Sequence, residues 1–97
     1  MADVKIAPVK AKRFEDIDEV GKYPGAFEYY RIGDRYPAGI IYCCPCGCGH
    51  QGSLHFRPDP PPSWEWDGNM DTPTLSPSVH HVGHWHGWLR NGIWESC

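Results

Sequence analysis

Polar and apolar residues alternate along several short stretches of the chain, which is the pattern of β-strands with one buried face. The clearest stretches cover residues 27–32, 36–42 and 52–56, and glycine, proline or aspartate residues lie between them. The 11 glycines and 10 prolines oppose long helices. The pattern therefore predicts a mostly β fold, a small zinc-ribbon-like antiparallel domain built from short hairpins.

Residues 80–97 predict a further hairpin. One strand is expected to run from His80 to Leu89, Arg90-Asn91-Gly92 supplies an Asn-Gly turn, and Ile93 begins the return strand. Along an unbroken strand, a period of two places His84 and His86 on the same face. Three interpretations stay open: both imidazoles reach one metal ion, only one does, or both form hydrogen bonds on a solvated face.

The first 25 residues differ from the rest, because basic and acidic residues alternate there without any cysteine, histidine or tryptophan. We predict an N-terminal arm or short helix over residues 1–25 and a zinc-binding β domain over residues 26–97. Residues 14–20 fit one or two helical turns closed by Gly21. Alternatively, the segment is extended and lies on the domain or reaches a neighbouring subunit.

Charge and hydropathy narrow the choice of partners. The net charge of −3 and the pI of about 6.0 give no electrostatic footprint for nucleic acid. The sequence has no run of 18 apolar residues and no apolar segment near its start, so we expect no membrane partner. These features favour the cytoplasm, where cysteines serve as metal ligands more often than as disulfides.

Residues 43–50 are the strongest chemical signal, because this stretch (CCPCGCGH) holds four of the five cysteines. Disulfides among such close thiols would be strained, whereas a zinc ion accepts several thiolates from one glycine-containing turn. Two sulfur sets fit: Cys43 with Cys46 in C-x2-C spacing, or Cys44, Cys46 and Cys48. The alternative is a group of buried free thiols. We predict Zn²⁺ as the cofactor.

Two sulfurs of Cys44, Cys46 and Cys48 would combine with an imidazole and a fourth ligand from later in the chain. His84 or His86 supplies an imidazole, and the final hairpin would bring Cys97 near the preceding strand. His50 and His55 are assigned structural roles. The predicted metal ligands are therefore drawn from Cys44, Cys46, Cys48, His84, His86 and Cys97. A closed four-ligand shell is typical of a structural zinc site.

The sequence gives no local signal for catalysis. It lacks the G-x-S-x-G serine motif and a glycine-rich phosphate loop, and its carboxylates form no pattern suited to acid–base chemistry. We therefore predict no catalytic residues and a protein that is not an enzyme.

Several motifs together resemble an uncharacterised family of small phage and prophage proteins. They are CPCGCG at residues 44–49, a proline-rich stretch with Trp64, PTLSPS at residues 73–78, and the His86-Gly87-Trp88-Leu89-x-Asn91-Gly92 series. PTLSPS is the most distinctive, because metal binding alone does not require it. The resemblance covers roughly residues 40–97.

The resemblance implies a zinc-binding β domain without an assigned activity. In it, Cys44, Cys46 and Cys48 match the opening cysteine motif, and Cys97 matches a closing cysteine. His84 stands where relatives often have a cysteine, and His86 where they have a histidine.

Together these features predict a non-enzymatic phage-type protein with a structural zinc site. It would act through protein–protein contacts, with other phage structural proteins as candidate partners for the N-terminal arm. It would be found in the host cytoplasm or assembled into the virion. One alternative is a minor virion protein, a head or tail accessory component. Another is a metal-dependent hydrolase, with His84 and His86 holding a catalytic ion and its water.

Overall fold

The computed structural model describes residues 5–97, so the first four residues of the predicted N-terminal arm lie outside the described residues. The described chain is built from short strands, which confirms the mostly β prediction. The strands are β1 (Val9–Lys10), β2 (Lys12–Arg13), β3 (Ala26–Ile32), β4 (Arg35–Cys43), β5 (Gln51–His55), β6 (Glu65–Trp66), β7 (Leu75–Ser76), β8 (Val79–His81), β9 (Trp85–Arg90) and β10 (Ile93–Ser96). A single-turn 3₁₀ helix spans Ile17–Val20.

The strands form three sheets. One has the order β2-β3-β4-β5, the second has the order β1-β10-β9-β8, and β6 pairs with β7 alone. β2 is parallel to β3, and the other paired strands are antiparallel. Two predicted hairpins are confirmed: β4–β5 carries the cysteine turn at its tip, and β9–β10 turns at Asn91-Gly92. Both turn residues have positive φ, which suits an Asn-Gly hairpin turn.

The prediction of one strand from His80 to Leu89 is wrong. This segment folds back on itself as the β8–β9 hairpin, with residues 82–84 in the turn and His80 opposite His86. The turn closes through a 2.9 Å hydrogen bond from the His84 amide to the His81 carbonyl, and Gly83 supplies a φ of 79°. Because the strand is interrupted, simple alternation no longer relates His84 to His86.

The described part of residues 5–25 packs on the rest of the chain. β1 pairs with β10 and β2 pairs with β3, so this segment contributes to both large sheets. In the 3₁₀ helix, Ile17 is buried, and the Asp16 side chain accepts the Asp18 amide at the N-cap. The division of the chain at residue 25 stays a prediction.

The core near the site is aromatic. Trp85 and Trp94 are fully buried, and their rings meet edge to face with centroids 5.7 Å apart. Gly87 lies against the Trp85 indole so closely that a Cβ there would collide with that ring and with the Glu95 carbonyl. The Trp85 Nε1–H donates to Ser96 Oγ at 2.9 Å. One face of β9 is therefore packed in the core, and the other face, with His86 and Trp88, is partly exposed.

Among residues 5–97, no helix combines the length and the apolar composition that crossing a bilayer would require.

Candidate functional site: a serine–histidine pair and a cysteine–histidine cluster

A serine and a histidine meet on the outward face of the β8–β9 hairpin. Ser78 directly precedes β8, and His86 is on β9. The Oγ atom of Ser78 lies 3.0 Å from Nε2 of His86, within hydrogen-bond distance, and both residues are half-buried. His80 lies opposite His86 in the strand register, with the ring centroids 4.6 Å apart.

Neighbouring contacts fix the backbone on both sides of the pair. Val79, next to Ser78, is fully buried in the core. The Trp64 Nε1–H donates to the Ser78 carbonyl oxygen at 3.2 Å, which ties the proline-rich connection to the serine. His86 lies between Trp85 and Gly87, which belong to the packed face of β9. The backbone that carries Ser78 and His86 is therefore packed against the core.

The contact between Ser78 and His86 can support nucleophilic chemistry at the serine. A serine hydroxyl is a weak nucleophile until a neighbouring base accepts its proton, and a hydrogen-bonded imidazole is the usual base. An Oγ–Nε2 distance of 3.0 Å fits direct proton transfer between these two atoms.

The cysteine turn forms a compact loop at the tip of β4–β5. The Cys44 amide donates to the His50 carbonyl at 2.8 Å, and the Gly47 amide donates to the Cys44 carbonyl at 3.1 Å. Gly47 and Gly49 both have positive φ, near 85°, a conformation that strongly favours glycine. The turn therefore directs several sulfur atoms toward one another.

Two groups of side chains have donor atoms close enough to share a metal ion. One consists of Cys44, Cys46 and Cys48, and the other of Cys48, His50, His81 and His84. Within each group, one donor atom from each residue lies within 4.8 Å of every other. These distances are compatible with a metal such as zinc, and Cys48 belongs to both groups.

The thiols and imidazoles of these groups differ in their electrostatics. Burial raises the pKa of the Cys44 thiol well above its ordinary value. Burial acts in the same direction on Cys48, but hydrogen bonds from the His50 amide and from the Cys46 and Cys44 thiols outweigh it and lower its pKa. Burial, followed by the nearby His84 and His50, lowers the pKa of His81. Cys48 as thiolate and His81 as neutral imidazole are the forms that bind metals.

The six ligands predicted from the sequence do not lie together in the structure. Cys44, Cys46 and Cys48 lie together, and His84 joins Cys48 in the second group. Neither group contains His86, which faces Ser78 instead. Cys97 is exposed and also lies outside both groups, and the predicted six-residue set stays a prediction.

Sequence reasoning missed three residues. His50 was assigned a structural role and His81 no role at the metal, because their approach depends on how two hairpin tips meet. Ser78 lies in PTLSPS, the most distinctive motif, which metal binding alone does not require, and this was the available signal.

A serine hydroxyl hydrogen-bonded to an imidazole is the nucleophile–base arrangement of serine hydrolases. A family model described as bacterial ubiquitination-like system serine protease (BubE) matches residues 14–97. The chain therefore belongs to this family. Comparisons with curated proteins and with solved structures give no match.

This membership corrects the functional predictions. The non-enzymatic phage-type protein is contradicted, as are the minor virion protein and the expectation that the chain is not an enzyme, because the family is one of serine proteases from a bacterial system. The metal-dependent hydrolase is replaced as well. The physical reason is that a local serine motif such as G-x-S-x-G is absent from the sequence, whereas the pairing of β8 with β9 brings Ser78 and His86 together.

Proposed function

We propose that the chain is a serine peptidase of a bacterial ubiquitination-like system, with Ser78 as nucleophile and His86 as general base. The observation that carries the proposal is the 3.0 Å contact between Ser78 Oγ and His86 Nε2 in a chain of this family. The substrate class is a peptide or isopeptide bond in a protein component of such a system. The predicted protein partner is then a substrate, and a contact through residues 1–25 stays a prediction.

The geometry supports a two-stage reaction. His86 Nε2 takes the proton of Ser78 as Oγ attacks the carbonyl carbon of the scissile bond. The imidazolium then gives that proton to the leaving amine, which leaves an ester between Ser78 and the acyl part of the substrate. In the second stage His86 takes a proton from a water molecule as its oxygen attacks the ester carbonyl carbon. The bond to Ser78 Oγ then breaks, the imidazolium returns the proton to Oγ, and the acid is released.

We also propose that the metal compatible with the cysteine–histidine groups is Zn²⁺ and that it is structural. Thiolate and imidazole donors are the ligands that zinc prefers. A small β domain with short strands gains folding free energy from such an ion. Because Ser78 supplies the nucleophile, no step of the reaction needs the metal.

The direct test compares Ser78→Ala with Ser76→Ala. Both serines lie in PTLSPS, but Ser76 is exposed and its register partner is Glu65 on β6. We expect Ser78→Ala to lower peptidase activity on conjugates from the cognate system by about 10⁴-fold or more, since removing a serine nucleophile costs that much. Ser76→Ala should retain near wild-type activity.

Equal activity of Ser78→Ala and the wild-type protein would reject the assignment. Circular dichroism of both variants serves as the folding control.

A further inference from the structure

Two hairpin tips from different sheets meet at the second metal-compatible group. Cys48 and His50 belong to the turn between β4 and β5, whereas His81 ends β8 and His84 is the last residue of the turn between β8 and β9. The four donor atoms all lie within 4.8 Å of one another. An ion bound here would join the two large sheets at these tips.

The spacing within this group fits tetrahedral coordination. Nδ1 of His50 lies 3.3 Å from Nε2 of His84. Zinc–nitrogen bonds of about 2.0 to 2.1 Å in a tetrahedron separate two nitrogens by about 3.3 Å. The Nδ1 atom of His81 is 3.1 Å from the hydroxyl of the buried Tyr42, so its Nε2 atom is the one directed to the ion. A hydrogen bond to the second ring nitrogen is typical of histidine ligands.

The group of three cysteines fits a single ion less well than the group of Cys48 and three histidines does. It supplies three donors, whereas a structural zinc site is closed by four. Cys44 is fully buried, and its Sγ atom is 3.3 Å from Sγ of Cys46. The Sγ atoms of Cys44 and Cys46 both lie within 4.8 Å of the Cys48 sulfur. They therefore fit the role of outer donors that support Cys48 as the single thiolate ligand.

The same hairpin carries both the histidines of this group and the serine–histidine pair. His81 is three residues after Ser78, and His84 is two residues before His86. β8 has only three residues, and among the strands of residues 5–97 it pairs with β9 alone. A slip of one residue would move His86 to the opposite face of the hairpin. Ligands on both sides of the turn would prevent such a slip.

We propose that a zinc ion bound by Cys48, His50, His81 and His84 locks the β8–β9 hairpin to the cysteine turn and thereby holds the Ser78–His86 pair in register. The proposal rests on the proposed peptidase function and adds a positioning role for the metal. The ion touches neither the substrate nor the reacting atoms.

X-ray absorption of the zinc-loaded protein tests the ligand set. We expect one sulfur neighbour at about 2.3 Å and three nitrogen neighbours at about 2.0 Å. A first shell of three sulfurs would overturn the set. His84→Cys is expected to fold, bind one equivalent of zinc and show two sulfurs. A folded His84→Cys protein that still shows one sulfur would also overturn it.

The coupling to Ser78 is tested with a fluorophosphonate probe, whose rate of reaction reports the activated serine. His50 lies on the other hairpin and is not part of the catalytic pair. We expect His50→Ala to lose zinc and to react with the probe at least about tenfold more slowly. In the peptidase reaction, the same variant should show a lower kcat rather than a higher KM. His50→Cys should regain both zinc and labelling. His55→Ala is the matched control, because His55 is an exposed histidine of β5 outside both groups, and it should keep both properties.

Two results would overturn the coupling. One is a zinc-free His50→Ala protein that labels at the wild-type rate. The other is a His50→Cys protein that binds zinc but labels slowly, and this comparison remains decisive if His50→Ala does not fold. Failure of the peptidase function itself looks different: zinc-loaded wild-type protein would show the expected ligand shell and no labelling of Ser78 at all.

Discussion

The β8–β9 hairpin places similar residues in different surroundings on its outward face and at its tip. On the outward face, His86 lies 3.0 Å from Ser78, and this pair fits nucleophilic chemistry. At the tip, His81 and His84 face Cys48 and His50, and these donors fit a metal ion. Residue type alone does not separate the two regions. The pairing of β8 with β9 and the approach of the two hairpin tips decide which side chains each histidine meets.

His86→Gln gives the largest effect that separates the two regions. Loss of the base should lower peptidase activity by about 10²- to 10⁴-fold, the usual contribution of a general base. Zinc content, measured by elemental analysis, should stay unchanged, because His86 lies outside both metal-compatible groups. Loss of zinc in this variant would make His86 a ligand, one of the possibilities that the sequence left open. It would also remove the distinction between the outward face and the tip of the hairpin.

Trp64→Phe should give an intermediate effect on the outward face. The substitution removes the Nε1–H that donates to the Ser78 carbonyl oxygen at 3.2 Å while keeping an aromatic ring. We expect a loss of about 1 kcal/mol in the free energy of unfolding, typical of one hydrogen bond, and a several-fold decrease in kcat. Urea denaturation and steady-state kinetics measure the two quantities.

Trp66→Phe is the matched control for this variant, because the Trp66 Nε1–H donates to the Asn69 carbonyl, away from Ser78. An equal loss of kcat in both variants would argue that Trp64 has no special link to the serine.

Cys97→Ser should have the smallest effect. Cys97 is exposed and lies outside both groups of possible ligands. We expect unchanged zinc stoichiometry and a melting temperature close to that of the wild-type protein. Cys48→Ser is the contrasting variant, because Cys48 belongs to both groups and its loss should release the metal. Release of zinc from Cys97→Ser would support the closing-cysteine prediction instead.

Much of the fold follows from local pattern. Alternation predicted the strands that became β3, β4 and β5, and the Asn91-Gly92 signal predicted the β9–β10 turn. The cysteine turn was expected at the tip of a hairpin, and the structure places it there. These features depend on residues close in sequence, so a single chain is sufficient to predict them.

The division of roles among the histidines could not be predicted in the same way. The sequence placed His84 and His86 on one strand face, but His84 is the last residue of the turn and His86 lies within β9. The Ser78–His86 contact needs the pairing of β8 with β9, and the approach of His50 to His84 needs two sheets to meet. Such contacts arise from tertiary packing, which neither spacing nor alternation encodes.

The most direct test of the account is to find where a fluorophosphonate probe attaches to the zinc-loaded protein. Peptide mapping by mass spectrometry should locate a single adduct on Ser78, and His86→Gln should suppress its formation without changing the zinc content. An adduct on Ser76 or another serine, or the same labelling rate in His86→Gln, would contradict the assignment of Ser78 and His86 as the catalytic pair.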